Sequence, residues 1–337
     1  MTLVLGLAVL LTGCSNYRLT TGYKNNEFIR YGGEKIGMDR ALLLLAENIY
    51  SYETVFDARI WAEEVDGISM GDYTKDLVKD TVEHMLFLVR MAEDRDITLT
   101  QEEKDLVQEA AEAYMATYDE PEELPFTVDT VEDYYTDLFL AERVFYQITS
   151  SVDTEVSTDE ARIIDVQYLF FAKSELDEEG NVVALSEASC NKKRQKAEKV
   201  LGLIEEGEDL INLVSEYSDD SSYYLELGRG EYDADFEEAA FALEMGEVSP
   251  VVETTVGYYI IKCTNDNVSD DYERRKESIV LERRTELFAS VYGEYSEGAE
   301  LYYNERFWNA YDIESCTKGS GQLQTIFEEY LSESARN

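Results

Sequence analysis

The sequence predicts an α+β protein in which a strand-containing module interrupts an otherwise helical chain. Three observations carry that reading. Apolar residues recur at helical spacing from Phe28 to about Ser151, and again from Tyr272 to about Phe307. Between these stretches the period changes, and Ile164, Val166, Tyr168 and Phe170 alternate as strand residues do. The 337 residues are also enough for two domains, each with its own core.

Taken in order, the chain starts with a short apolar run, Leu3–Leu11, too short to span a bilayer. It ends in Leu11-Thr12-Gly13-Cys14-Ser15, which resembles a bacterial lipobox, although only Met1 and Thr2 precede the run where a basic region is usual. That resemblance implies a signal peptide and lipobox over residues 1–14, with a diacylglyceryl group on Cys14. A palmitate-type acyl set of several chains anchors stably where a single chain does not. Residues 15–27 are polar and read as a tether.

Four helical patterns follow. The first, Met38–Val55, contains the run Ala41-Leu42-Leu43-Leu44-Leu45. In Tyr73–Ala92, Leu77, Val78, Val82, Met85, Leu86 and Val89 share one stripe. Thr100-Gln101-Glu102-Glu103 has the form of a capping box and opens a third helix carrying Leu106, Val107, Ala110 and Tyr114. Pro121 and Pro125 break the pattern, and a fourth helix bears Val131, Tyr135, Leu138, Phe145 and Ile148. After the strand at Ile164–Phe170, residues 174–189 read as a polar connection and Cys190–Glu206 as a helix. A final strand spans Gly257–Cys263, and the returning helix carries Ile279, Val280, Leu287 and Val291. Residues 316–337 read as a tail with one amphipathic patch, Leu323–Leu331.

Charge and rare residues exclude several functions. With 29 basic against 73 acidic side chains, the net charge of −44 repels phosphate backbones, so nucleic acid is not expected as a partner. Anionic headgroups would be repelled too, unless a covalent anchor such as lipid on Cys14 holds the chain to the membrane. The only histidine, His84, lies in the middle of a helical pattern, which leaves Ser-His-Asp, Cys-His and His-type zinc chemistry without a base or ligand. No Cys-x-x-Cys occurs among the four cysteines, and the acidic runs lack calcium-loop spacing. Neither metal nor cofactor is expected. Spacing leaves a Cys190–Cys263 disulfide open. The basic runs Lys192-Lys193-Arg194, Arg274-Arg275-Lys276 and Arg283-Arg284 are expected to pair with neighbouring carboxylates.

The stretch Glu208–Lys262 is the most specific. It runs EDLINLVSEYSDD and then LGRGEYDADFEEAAFALEMGEVSPVVETTVGYYIIK: a helix ending in Tyr-Ser-Asp, a glycine-bounded turn, a second helix, a Gly-Glu-Val-Ser-Pro turn and a strand. Together with IIDVQYLFFAK at Ile163–Lys173, this order resembles the parvulin family of peptidyl-prolyl isomerases. The surrounding helices, Gly32–Ile36 and Arg306-Phe307-Trp308 are similar to extracytoplasmic foldases of the PrsA and SurA type. The resemblance implies a four-stranded antiparallel sheet with helices over residues 160–265. This module would be inserted into an all-α chaperone-like domain formed by residues 28–155 and a packing segment, 270–315.

The resemblance also implies a site. The prolyl pocket falls on Tyr224, Tyr232 and Phe236. The family's two histidines fall on Tyr168 and Tyr259, with Asp220 and Thr254 in the same hydrogen-bonded network. Tyrosine donates and accepts a hydrogen bond but does not titrate near neutrality as imidazole does. The function implied is that of a membrane-anchored extracytoplasmic foldase, isomerising X-Pro bonds in unfolded exported polypeptides. The alternative is a non-catalytic holdase whose parvulin module is degenerate.

Overall fold

The computed structural model describes residues 23–24, 26–31, 34–177, 179–268 and 272–336; Cys14 and the apolar run before it lie outside the described residues. The chain divides into two compact units, one running to Val152 and resuming at Arg284, the other Asp153–Arg283. No described helix is long and apolar enough to cross a membrane.

The discontinuous unit begins with strands β1 (Glu27–Tyr31) and β2 (Glu34–Gly37) and helix α1 (Met38–Phe56). A small hairpin, β3 (Glu64–Val65) and β4 (Ile68–Ser69), leads to α2 (Met70–Glu93), α3 (Gln101–Met115) and α4 (Val128–Ile148). The leucine run forms α1 because its residues are good helix formers, and Ala41–Leu45 and Ile49 are all buried. The capping box at α3 is present: Thr100 Oγ1 accepts from the Glu103 N–H at 3.3 Å, and the Glu103 carboxylate accepts from the Thr100 N–H at 2.7 Å.

Module elements follow: β5 (Ile163–Ala172), β6 (Ser174–Leu176), β7 (Val182–Ala184), α5 (Glu187–Glu205), α6 (Leu210–Tyr217), β8 (Tyr224–Gly228), α7 (Ala234–Phe241), β9 (Val252–Glu253) and β10 (Gly257–Asn265). The four-stranded sheet has the order β8-β5-β10-β9, with every pairing antiparallel. Because side chains alternate across a sheet, β5 and β10 supply two cores. Leu169, Phe171, Tyr258 and Ile260 pack with α5 and α6 residues Ala197, Val200, Leu210 and Leu213. Ile164, Val166 and Ile261 pack on the other face with Leu227 and with Phe236, Ala240 and Phe241 of α7.

The division between the units falls within α8 (Tyr272–Ser296). The helical unit is completed by β11 (Tyr302–Tyr303), α9 (Glu305–Trp308), α10 (Leu323–Tyr330) and α11 (Ser332–Arg336).

The α+β class and the four-stranded antiparallel sheet agree with the sequence reading; four details differ. The helical unit is not all-α, since β1 pairs with both β2 and β11 in a small antiparallel sheet that sets Ile29 opposite Tyr303. Such short strands, paired across most of the chain length, leave no periodic signal. Residues 174–189 contain the β6–β7 hairpin as well as a connection. The segment read as a tail is docked in the helical unit. Leu323, Phe327, Leu331 and Ala335 are buried, and the Tyr135 hydroxyl donates to the Leu323 carbonyl at 2.8 Å. Glu47 fixes the approach to α10, its carboxylate accepting from Tyr114 Oη and from the N–H groups of Ser320 and Gly321. Finally, Cys190 and Cys263 are both free thiols, so the disulfide left open by spacing is not formed.

Each basic run supplies pairs with carboxylates, although Arg284 lies instead over the Tyr146 ring, 5.1 Å from its centroid. Lys193 meets Asp219, Arg194 meets Glu198, Arg275 meets Glu231, Lys276 meets Glu273 and Arg283 meets Glu160. His84 is half-buried on α2, its ring centroid 5.4 Å from that of Tyr292.

Candidate active site

The α7 face of the module sheet carries a cluster of aromatic rings at the ends of β5 and β10 nearest β9. Tyr168 and Phe170 on β5 point to this face by strand alternation, as does Tyr259 on β10. Phe236 enters from the first turns of α7 and is 2% exposed. Ring centroids lie 4.9 Å apart for Phe236–Tyr259, 5.9 Å for Tyr168–Tyr259, 6.3 Å for Tyr168–Phe236 and 4.7 Å for Phe170–Tyr259. Three of these contacts are edge-on, a favoured arrangement of ring quadrupoles. Tyr232 closes one side, half exposed and 5.6 Å from Phe236.

Two loops position these rings. The Tyr217-Ser218-Asp219-Asp220 turn at the end of α6 clips to β5. Ser218 Oγ accepts from the Phe170 N–H, the Asp219 carboxylate accepts from the Ala172 N–H, and the Asp219 N–H donates to the Phe170 carbonyl. That places Asp220 to accept from Tyr168 Oη at 2.9 Å, while its other oxygen accepts from the Ser222 N–H. The loop bearing Tyr232 is gripped by Glu237, whose carboxylate accepts from the N–H groups of Gly230 and Tyr232. Gly230 adopts φ +82°, a left-handed conformation that favours glycine.

Not every expected residue joins the cluster. Tyr168, Tyr232, Phe236, Tyr259 and Asp220 come together. Tyr224 does not: it is 53% exposed and its hydroxyl donates to Asp165 on the opposite face of the sheet at 2.6 Å. One place along β8, Leu225 packs instead against the cluster containing Phe236 and Tyr168. A shift of one residue in a strand exchanges its faces, and the register Val166↔Leu225 settles which side chain turns inward. Thr254 is also elsewhere engaged. Its hydroxyl accepts from the N–H groups of Val256 and Gly257 and donates to the Gly257 carbonyl, closing the β9–β10 turn rather than meeting the tyrosines. Sequence reasoning missed Leu225 and Phe170; the apolar alternation of β8 and β5 is the signal that points to them.

The electrostatics follow from burial. Burial raises the Tyr168 hydroxyl, and the hydrogen bond to Asp220 raises it further. Tyr259 is pushed up to about 12 by burial, with the Asp220 charge adding to the effect. Both are therefore protonated donors at neutral pH. Tyr168 spends its proton on Asp220, whereas the hydroxyls of Tyr259 and Tyr232 have no hydrogen-bond partner among the described residues. Among the described residues, no group of His, Cys, Asp and Glu is arranged to hold a metal ion. The arrangement offers an apolar floor, aromatic walls and two free phenolic donors.

Comparison with known proteins finds matches to most of the module. Residues 176–265 match the family model of the PPIC-type PPIASE domain, the rotamase family. Over 91 residues the chain is 43% identical to the foldase protein PrsA of Halalkalibacterium halodurans, covering 25% of this chain and 27% of that protein. Foldase protein PrsA of Caldanaerobacter subterraneus subsp. tengcongensis is 25% identical over 251 residues, 72% of this chain and 74% of its own. The high-identity matches are short, spanning 27% of the Halalkalibacterium halodurans relative and 36% of the Bacillus subtilis one. The crystal structure of the peptidylprolyl isomerase PrsA from Bacillus cereus aligns over 77% of this chain and 95% of its own, with a TM-score of 0.39 and 20% identity. By the family match and the PrsA relatives, the chain carries a peptidyl-prolyl isomerase-type module and resembles PrsA foldases.

Proposed function

We propose that this chain is an extracytoplasmic foldase whose module turns X-Pro bonds in exported polypeptides, with the aromatic cluster as the prolyl site. The observation that carries this reading is the cradle of Tyr168, Tyr232, Phe236 and Tyr259. Three of the four fall within residues 176–265, which match the rotamase family, and Tyr168 lies just before them on the paired strand β5.

Rotation about the bond crosses a barrier of about 18–20 kcal/mol and breaks no covalent bond, so the site needs no nucleophile. Its task is to bind the twisted amide better than either planar form. Phe236 and Leu225 offer the proline ring an apolar seat. As the amide twists, resonance is lost and its nitrogen gains a lone pair that accepts a hydrogen bond, which the planar amide nitrogen does not. The unpartnered hydroxyl of Tyr259 is a donor suited to that moment. Tyr168, held by Asp220, fixes the wall opposite.

A second reading rests on a specific observation. Tyrosines stand where the resemblance places histidines, and a module without catalysis would leave the chain a holdase for unfolded segments. One experiment separates the two: acceleration of cis-to-trans isomerisation in short X-Pro peptides, measured from pH 6 to pH 9. Catalysis is expected, and with a flat profile. A group raised to about 12 keeps its proton throughout that window, so the tyrosines contribute no titration where a histidine would near pH 6.5. A midpoint near neutrality would remove the tyrosines from the mechanism. No acceleration, combined with suppressed aggregation of an unfolded client, would establish the holdase.

The anchor belongs to the same proposal. Lipid on Cys14 would hold the chain at the outer face of the cell membrane, beside emerging clients. Cys14→Ala is expected to release the protein from the membrane fraction or block its processing; fractionation like the parent's would refute the anchor.

A further inference from the structure

The helical unit places an unusual share of exposed apolar surface in one short segment. Val55 is 70% exposed and Phe56 54%, both at the end of α1. Val65 and Ile68 on the β3–β4 hairpin, and Tyr73 at the start of α2, are each about half exposed. Val65 and Ile68 are direct cross-strand partners, so both side chains leave the hairpin on the same face. The hairpin is held in shape by Asp66 and Gly67, at φ 53° and 79°, which suits the tight turn matching strand twist. Beneath the segment Trp61 is buried, donating to Glu53 at 2.9 Å and edge-on to Tyr52 at 5.8 Å. Trp61 thus ties the turn between α1 and the hairpin back onto α1, and the apolar side chains flank an anchored turn.

Exposed charge within the segment is mostly acidic, and Lys318, a cation brought near Trp61 from elsewhere in the chain, is paired with Glu53 at 3.3 Å. Asp57, Glu63, Glu64, Asp66 and Asp72 are all exposed in this segment. The sole cation between Val55 and Tyr73 is Arg59, whose guanidinium is taken by Asp57 through three hydrogen bonds. A second copy of this chain would bring like charges together, in a protein already at −44. The complementary occupant carries apolar side chains interspersed with Lys or Arg.

We propose that the Val55–Tyr73 face is a docking site for apolar, cationic segments of non-native polypeptides. This rests on the foldase reading and gives it a client chemistry. Folded proteins bury such apolar side chains, so the face distinguishes unfolded from folded chains. Its acidic rim steers cationic segments toward it and disfavours acidic ones.

The test uses the full chain and two fluorescent peptides of the same length, one alternating Leu and Lys and the other Leu and Glu. Anisotropy should find the Lys peptide bound at least about tenfold tighter, with the difference shrinking as salt rises and screening shortens. The doubly substituted chain Phe56→Ser with Ile68→Ser should lose about tenfold in affinity for the Lys peptide. Its melt by circular dichroism should match the parent's, because both side chains are exposed. Equal binding of the two peptides, or unchanged binding by the variant, would overturn the proposal. So would sedimentation showing a parental dimer that the substitutions dissociate, since the occupant would then be a second copy. X-Pro peptide isomerisation, read in the same preparations, should not respond to these substitutions. Its absence would count against the catalytic reading alone.

Discussion

Phe236→Ala is expected to abolish isomerisation of X-Pro peptides and to lower the stability of the module by about 3–5 kcal/mol. Both effects have one origin. The ring is 2% exposed and meets Tyr259, Tyr232 and Tyr168 at 4.9, 5.6 and 6.3 Å. Truncation leaves a cavity whose rigid walls, two strands and a helix, cannot close in. The same cavity removes the seat of the proline ring. Urea denaturation measures the first effect and peptide kinetics the second. Phe236→Leu fills most of the volume, so it should fold nearly as well as the parent while retaining reduced activity. Tyr168→Phe keeps the ring and removes only the hydroxyl donated to Asp220. Its cost should be that of one hydrogen bond to a charged group, about 1.5–3 kcal/mol, with most of the activity retained. A folded Phe236→Ala protein working at the parental rate would show that the prolyl site lies elsewhere.

What the sequence discloses about this module depends on the range of the interaction. Helices with a full stripe, such as the one carrying Val78, Val82, Met85 and Leu86, are legible because each repeat of the pattern confirms the last. So is the capping box at Thr100, a signal contained in four residues. The pair Tyr168–Tyr259 is legible through the resemblance, because alternation on two long strands fixes which face each ring takes. Tyr224 is misread for the converse reason. β8 is five residues long, Tyr224 is its first, and two adjacent apolar side chains leave the inward one undecided until pairing with β5 sets the register. Thr254 fails differently. A threonine hydroxyl can serve a network or a turn, and nothing local distinguishes these uses until the Gly257 carbonyl is found 3.0 Å away. The sheet formed by β1, β2 and β11 is illegible from any window, since Arg30 pairs with Tyr302.

Gly257→Ala is expected to disrupt the site from outside it. A β-carbon on Gly257 would lie 2.3 Å from Phe170 Cε2 and 2.6 Å from the Phe171 carbonyl oxygen. The ring cannot retreat toward Tyr259, which lies against it with centroids 4.7 Å apart. The carbonyl belongs to the central strand β5, where Gly257 pairs with Ala172, so it moves only if the ladder opens at that end. Overpacking of this kind costs about 1–3 kcal/mol, and the displaced Phe170 ring pushes on Tyr259, whose free hydroxyl faces the proposed substrate. Activity should therefore fall further than the loss of folded protein explains, which kinetics on the folded fraction at low temperature would reveal. Gly202 supplies the control within the same module. It lies inside α5, and a β-carbon there meets nothing within 4 Å. Gly202→Ala should raise stability by about 0.5–1 kcal/mol through helix propensity and leave catalysis alone. If Gly257→Ala matches the parent in both melt and rate, the close approach of Phe170 to β10 does not shape the site, and the wall beside Tyr259 must be formed by other residues.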